Sequence, residues 1–436
     1  MRYILAIIAL FSALSLTAQS YDSPATVSIG RDAPRSEIIA YPTLSEALTF
    51  SRSASRYLRP IVDWEEGTHE SGRTFTGEFT MPFAWIDREL FLHVASAGSA
   101  YEVTVNGKRA GYVQNGATPA DFDITKLAAE GKNRVVITLF SPSVADVLQR
   151  APEANPTLGE CYVMAQPKMR VRDILVNSSI ANDQNGVLEL GVVMKTHTLN
   201  PKTTRVYYEL IAPDSTKVLE GYKDLTLDMR GEDTVRFMSV VPRSQAWSAE
   251  HPHLYTLIVK TRYEGRINEY IPFKVGFRTV ATDQGQLLVN SEPATLRVKE
   301  IAADLHPGEL DTLKKLGYNA LRLKPGRLSR ELLNRCDSLG FYVIDQLPID
   351  TSRAGLSRKR GGNPSNDPQW LDAYLDRTEQ HYNAVKNHPS VIAFSLARES
   401  ANGINLYESY LRLKELERNR PVIYTCLLYT LTLPTI

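Results

Sequence analysis

Glu399 follows directly on an apolar run, Val391-Ile392-Ala393-Phe394-Ser395-Leu396-Ala397, with only Arg398 between. A continuous apolar run of this length suits a strand covered on both faces, as in a parallel sheet. A carboxylate at the C-terminal end of such a strand sits where barrel enzymes place their chemistry. The stretch Ser390–Ser400 therefore makes Glu399 the first candidate for a catalytic residue. Thiol and metal chemistry have less behind them. Cys161, Cys336 and Cys426 are widely spaced, which is neither a disulfide framework nor a metal cluster. Cys336 shares an apolar helical face with Leu332, Leu333 and Leu339 and reads as a core thiol.

Positioning Glu399 requires a sheet, and the second half of the chain has the rhythm of one. Expected strands at Thr295–Ile301, Asn319–Leu323, Phe341–Leu347, Val391–Ala397 and from Pro421 to Thr425 alternate with helical stripes. Leu310, Leu313 and Leu316 form the first stripe, stopped by Gly317. Ser329 caps the next helix, which ends before Gly340. Asp367-Pro368 opens the third in the order cap, then proline. Such alternation predicts parallel βα units, with Glu399 at the end of strand four. A closed barrel needs eight strands, and five are legible.

The first half reads as two β domains. Glu89–Val94, Tyr101–Val105 and Arg134–Leu139 alternate, and Asn106-Gly107 is a strong hairpin signal. Their spacing fits a β-sandwich or jelly roll over 19–168. Asp121-Phe122-Asp123-Ile124-Thr125 is expected to lie between strands and fix a turn. About seven strands between 169 and 282 predict an immunoglobulin-like sandwich. Neither domain shows an acid/base pair, a metal cluster or a nucleophile elbow.

At 436 residues the chain is long enough for two or three domains. Its net charge of +1 gives no electrostatic case for nucleic-acid or membrane-surface binding. Residues 1–18, with Arg2 before the apolar run Ile4–Leu16 and Thr17-Ala18-Gln19 after it, read as a signal peptide. No stretch is long enough to span a bilayer. A secreted or periplasmic location is expected; oligomeric state is not legible.

The motifs together resemble glycoside hydrolase family 2, the β-galactosidase and β-glucuronidase family, over roughly 75–424. Leu92-His93-Val94, Val105-Asn106-Gly107-Lys108 and Thr118–Thr125 are similar to its sugar-binding jelly roll. Trp247–Tyr255 and Val275-Gly276-Phe277-Arg278 resemble the end of its immunoglobulin-like domain. Gly285–Asn290, Gly340–Asp345 and Asn387–Ile392 resemble its barrel over 283–425. The resemblance implies a retaining β-glycosidase acting on a terminal β-linked sugar through two carboxylates about 5 Å apart. It puts Glu399 in the role of general acid/base, with a nucleophile near strand seven.

Departures accompany the match. Where the family carries Gly-Asn before the acid, with the Asn on the sugar 2-hydroxyl, this chain has Ala397-Arg398. An Arg beside an acid favours its ionised form, the wrong direction for a proton donor. Arg322-Leu323-Lys324-Pro325 replaces a motif with a sugar-contacting His. Arg398, Asp345 and Arg322 are thus the candidate substrate-binding residues, with a structural hydrogen-bonding role equally open for Asp345. The family's magnesium-binding carboxylate and His fall at Asp350 and Ser352, so no cofactor is expected. The nucleophile strand is not found, and 426–436 continue no family motif. That tail is expected to be non-native, on a frame that in full length carries more of the barrel. Two readings follow: an exported β-galactosidase-like hydrolase of which this chain is the inactive N-terminal part, or a non-catalytic carbohydrate-binding protein on the same fold.

Overall fold

From Asn133 to Leu139 every second residue is buried, the pattern of a strand with one face on a core. In the computed structural model this strand, Gly131–Phe140, lies inside a six-stranded sheet with Ser28–Ile29, Lys108–Val113, Tyr101–Val105, Gly72–Met81 and Glu65–His69. A four-stranded sheet of Leu58–Ile61, Cys161–Gln166, Glu89–Val94 and Ala120–Asp123 packs against it. Phe75, Leu92, Tyr101, Phe122, Ile137 and Val163 fill the space between, giving the jelly roll. The structure describes residues 23–181, 183–425 and 430–431. The expected signal peptide and most of the 426–436 tail lie outside the described residues.

Asn106 and Gly107 take left-handed φ values of 50° and 75°, as a tight hairpin turn requires. One expectation fails here. Asp121-Phe122-Asp123 is no turn but strand, paired with Phe91-Leu92-His93. Phe122 buries completely while Asp121 forms a buried ion pair with Arg35 and a 2.9 Å hydrogen bond with His93 Nδ1. A polar residue in a strand had the look of a turn because its partners are distant in sequence. The turn follows one step later, where Asp123 Oδ1 accepts from the Thr125 amide and hydroxyl.

The second domain is a sandwich of three strands, Met169–Ile180, Gly186–Thr196 and Glu232–Val241, on four, Lys202–Ile211, Lys217–Leu227, Tyr255–Tyr263 and Arg266–Val275. The seven immunoglobulin-like strands are all antiparallel.

The third unit is a partial barrel. Its elements run β1 (Val298–Ile301), α1 (Glu309–Lys315), β2 (Ala320–Leu323), α2 (Arg330–Leu339), β3 (Tyr342–Gln346), α3 (Leu371–Val385), β4 (Val391–Arg398), α4 (Ile404–Leu416) and β5 (Val422–Thr425). All five strands pair in parallel and in order. Ser329 caps α2 through the Leu332 amide, and Gly340 ends it at φ 76°. Asp367 caps a short 3-10 turn, Pro368–Trp370, which leads into α3 rather than α3 itself. Seven of the eight residues of β4 are buried, as a strand covered on both faces requires.

The three units are tied to each other at the motifs. Arg278 donates to the Val391 carbonyl at 2.7 Å, at the start of β4. Trp247, fully buried, donates to the Asp337 carbonyl at the end of α2. An N-terminal strap, Arg31–Tyr41, crosses all three units. Arg31 binds Asp376 on α3, Arg35 binds Asp121, Ser36 binds Asp173 and Tyr41 bridges to Tyr270. Glu37, near the centre, accepts from Arg330, Arg52 and the Tyr162 hydroxyl.

Burial alone would raise the Glu37 carboxyl, but Arg330 and Arg52 overcome it and hold it at about 2. A depressed carboxylate stabilises the fold above its unfolded pKa, and that contribution is lost as pH falls through the folded value. Glu37 is therefore expected to contribute about 3 kcal/mol that disappears between roughly pH 4.5 and 2. Denaturant unfolding across that range tests it. Glu37→Gln should flatten the pH slope by about one proton; an unchanged slope refutes the assignment.

Candidate active site

Strand β4 ends at Arg398, and the chain turns out of the sheet through Glu399 at φ 45°. Few non-glycine residues adopt this left-handed conformation, and such strain collects at functional sites. Ser400, fully buried, fixes the turn. Its hydroxyl donates to the Arg398 carbonyl at 3.0 Å and accepts from the Thr351 amide at 3.0 Å. The Arg398 amide donates to the Ile349 carbonyl at 3.0 Å, tying the turn to the loop after β3.

The Glu399 carboxylate does not have Arg398 as its main partner. Its Oε2 accepts from Arg150, in the jelly-roll segment after the 3-10 turn Val144–Leu148. Arg398 Nε stands 3.6 Å from Oε1, while its Nη1 donates to Glu300 Oε2 at 2.6 Å. The Arg398 hydrogen bond, supported by the charges of Lys324 and Arg322, holds Glu300 below the ordinary carboxylate range. Glu300 on β1 and Arg322 on β2 are register partners. Three expected residues, Glu399, Arg398 and Arg322, are thus gathered at the C-terminal ends of the strands.

Asp345 is not gathered with them. It faces Phe394 in the register of β3 and β4, is fully buried, and is hydrogen-bonded to His381 Nε2 at 2.7 Å. Asp350 Oδ1 accepts from the Ser352 amide at 3.1 Å and its hydroxyl at 2.6 Å. That oxygen already accepts two hydrogen bonds within its own turn, and Ser352 stands where the family resemblance implies a histidine. Asp350 and Ser352 thus differ from the carboxylate and histidine that the family resemblance implies for magnesium.

Sequence reasoning missed Glu300 and Arg150. Glu300 lay inside an expected strand, and Arg150 belongs to another domain, so only tertiary contact brings either to Glu399. It also missed Glu89, Asp123 and His197, whose ligating atoms lie within 4.8 Å of one another across the two β domains. Their proximity is accounted for by hydrogen bonds: Thr125 joins Glu89 to Asp123, and His197 Nδ1 is 3.2 Å from Glu89.

Comparison with known proteins matches this arrangement in all three units. Family profiles match residues 32–154 as the sugar binding domain of glycosyl hydrolases family 2, 169–278 as glycosyl hydrolases family 2 and 290–433 as the family's TIM barrel domain. A beta-galactosidase of Priestia megaterium is 28% identical over 367 residues, 79% of this chain and 35% of its own length. One from Streptococcus thermophilus is 26% identical over 80% of this chain and 35% of its own. The chain thus spans about a third of the curated relatives it matches. Among solved structures, a beta-D-glucuronidase of Dictyoglomus thermophilum superposes with TM-score 0.67 at 20% identity, covering 91% of this chain and 72% of that one. A Bacteroides uniformis beta-glucuronidase gives 0.69 at 18%, covering 92% and 52%. With its three domains matched in the family's order and its fold shared, this chain belongs to glycoside hydrolase family 2.

Proposed function

We propose that the chain carries the acid/base side of an exported β-glycosidase site that works with retention. Glu399 would protonate the glycosidic oxygen as the bond to the anomeric carbon breaks, then take a proton from the water that releases the sugar. The observation carrying this reading is the position of Glu399, on a strained turn at the C-terminal end of the fourth parallel strand. Relatives named beta-galactosidase support a terminal β-linked sugar as substrate. The apolar N-terminal run supports export to the periplasm or beyond, testable by N-terminal sequencing of the fractionated protein; an intact residue 1 in the mature protein sinks that part.

Retention needs a second carboxylate about 5 Å from the first. Glu300 is held by Arg398 and Lys324, and Asp350 by Ser352, so we assign neither as nucleophile. These 436 residues are therefore expected to bind glycosides without turning them over. Incubation with nitrophenyl β-galactoside should release nitrophenol no faster than buffer does. Release that depends on Glu399 overturns this expectation.

A second reading, a non-catalytic carbohydrate binder, is favoured by one contact. Arg150 engages the Glu399 carboxylate from the jelly roll, where a proton donor would stand free. Hydrolysis of any β-glycoside by a longer product of the locus decides for the enzyme; binding without hydrolysis decides for the binder.

A further inference from the structure

Where the three units meet there is a cavity of about 920 Å³, a volume typical of ligand sites. Strap residues 31–37 line it, with His93 of the jelly roll, Phe273 of the sandwich, and residues of α2 and the end of α3. It is distinct from the smaller cleft at Arg150 and Arg398, with which it shares Arg327 alone among the described residues.

Two imidazoles in the cavity wall are held alike. His93 Nδ1 is hydrogen-bonded to Asp121 at 2.9 Å, and His388 Nδ1 to Asp337 at 2.6 Å. A carboxylate only accepts, so each neutral ring carries its proton on Nδ1 and keeps a lone pair on Nε2. Neither Nε2 has a hydrogen-bond partner among the described residues. The His93 side chain is 2% exposed, and a buried polar atom without a partner points to one from outside. Glu37 adds a third acceptor to the same wall. Its donors Arg330, Arg52 and Tyr162 all meet Oε1, which leaves Oε2 for a guest.

Such a guest must donate hydrogen bonds without bringing charge. Six Lys and Arg side chains and seven carboxylates line the cavity, close to balance. The guanidiniums are already engaged there, Arg35 with Asp121 and both Arg52 and Arg330 with Glu37. An anion would have to break these pairs, and an ammonium would lie among the six cations. A metal ion needs ligands converging on one point. Among the described residues the one such group of three is elsewhere, at Glu89, Asp123 and His197. Hydroxyl groups can donate to the three acceptors and accept from neighbouring N–H groups together. Phe50 and Phe273 also line the cavity and offer apolar surface to C–H groups.

We infer that this junction cavity is a second, non-catalytic sugar site, taking a neutral disaccharide or longer glycan through His93, His388 and Glu37. It stands whether or not Glu399 acts as an acid. Because the strap, jelly roll, sandwich and barrel helices share the wall, a bound sugar stabilises their assembly.

Nuclear magnetic resonance of the 436-residue chain carrying isotope-labelled histidine tests this. Lactose, cellobiose and maltose are the probes, with inorganic sulfate and spermidine as the charged alternatives. At least one disaccharide is expected to move the Nε2 signals of His93 and His388, with a Kd of about 1 mM or tighter. The signal of His69, on the jelly-roll edge, should stay in place. The same sugar should raise the melting temperature. His93→Phe keeps a ring over Tyr162, whose centroid is 4.5 Å away, and removes one acceptor. It is expected to weaken binding about fivefold to tenfold. Should that variant fail to fold, Asn334→Trp, at an exposed α2 position in the cavity wall, fills the space and should abolish the shifts. If no disaccharide moves either histidine, the inference is overturned. Sulfate or spermidine acting at lower concentration than every disaccharide overturns it too, since the site would then select charge. Binding that survives both substitutions places the sugar elsewhere and also overturns it.

Discussion

Glu399→Gln is expected to lower kcat on alkyl β-glycosides by about 10²–10⁴-fold in any form of the protein that turns them over. The amide has the shape of the acid and can hydrogen-bond the glycosidic oxygen, but it has no proton to transfer. KM should move only a few-fold, because the lost interaction belongs to the transition state. Leaving-group dependence is the sharper readout. A nitrophenolate departs with little protonation, so its glycoside should lose far less than an alkyl glycoside. Equal losses for both leaving groups would show that Glu399 is not the proton donor, and no loss would remove it from the chemistry.

The same position has a cost in the fold. At φ 45° an L-residue other than Asn or Asp is strained, and Ser400 holds the turn there from both sides. The ion pair with Arg150 is half-exposed on the arginine side and returns little. Glu399→Asn, which tolerates the left-handed conformation, is expected to leave thermal stability unchanged or slightly higher while the acid is lost. A clear fall in melting temperature would instead make Glu399 a structural residue.

How far the sequence reached is clearest at particular residues. Period-two and period-3.6 patterns are local, so α2 and β4 were legible within a residue and Gly131–Phe140 within three. Caps and turns were too, because Ser329, Gly340 and Asn106-Gly107 act on their immediate neighbours. Asp121 was misread because its partners, His93 and Arg35, are 28 and 86 positions away, and nothing local distinguishes a buried ion-paired Asp from a turn Asp. The same limit hid Arg150 and Glu300 at Glu399. Arg398 was expected to act on its neighbour; its guanidinium stands 3.6 Å from Glu399 but makes its hydrogen bond across the sheet to Glu300. The strap Arg31–Tyr41 carried no signal, since its regularity lies in what it touches rather than in its own period.

Lys386→Met should destabilise the protein by about 3–5 kcal/mol, the usual cost of stripping one partner from a buried ion pair. Lys386, just past the end of α3, donates to Asp173 Oδ2 at 2.5 Å and to Asn383 Oδ1 at 2.8 Å. Both side chains are nearly sealed, at 2% and 5% exposure. Asp173 Oδ1 meanwhile accepts from the Ser36 amide and hydroxyl, both at 2.9 Å, and from the Ile174 amide at 2.8 Å. One carboxylate thus joins the strap, the first strand of the sandwich and the barrel helix. Burial pushes the Lys386 amine below its usual range, with Asp173 opposing it, so the pair stands or falls together. Met matches the lysine stem in length and leaves the Asp173 charge without its cation. Adding Asp173→Asn removes that charge, and the double variant is expected to recover at least half of the loss, giving a coupling energy of about 2 kcal/mol or more. Guanidinium unfolding of the four proteins of the cycle measures it. Additive effects would mean that Lys386 and Asp173 stabilise their own domains separately, and that the strap does not hold the barrel to the sandwich through this pair.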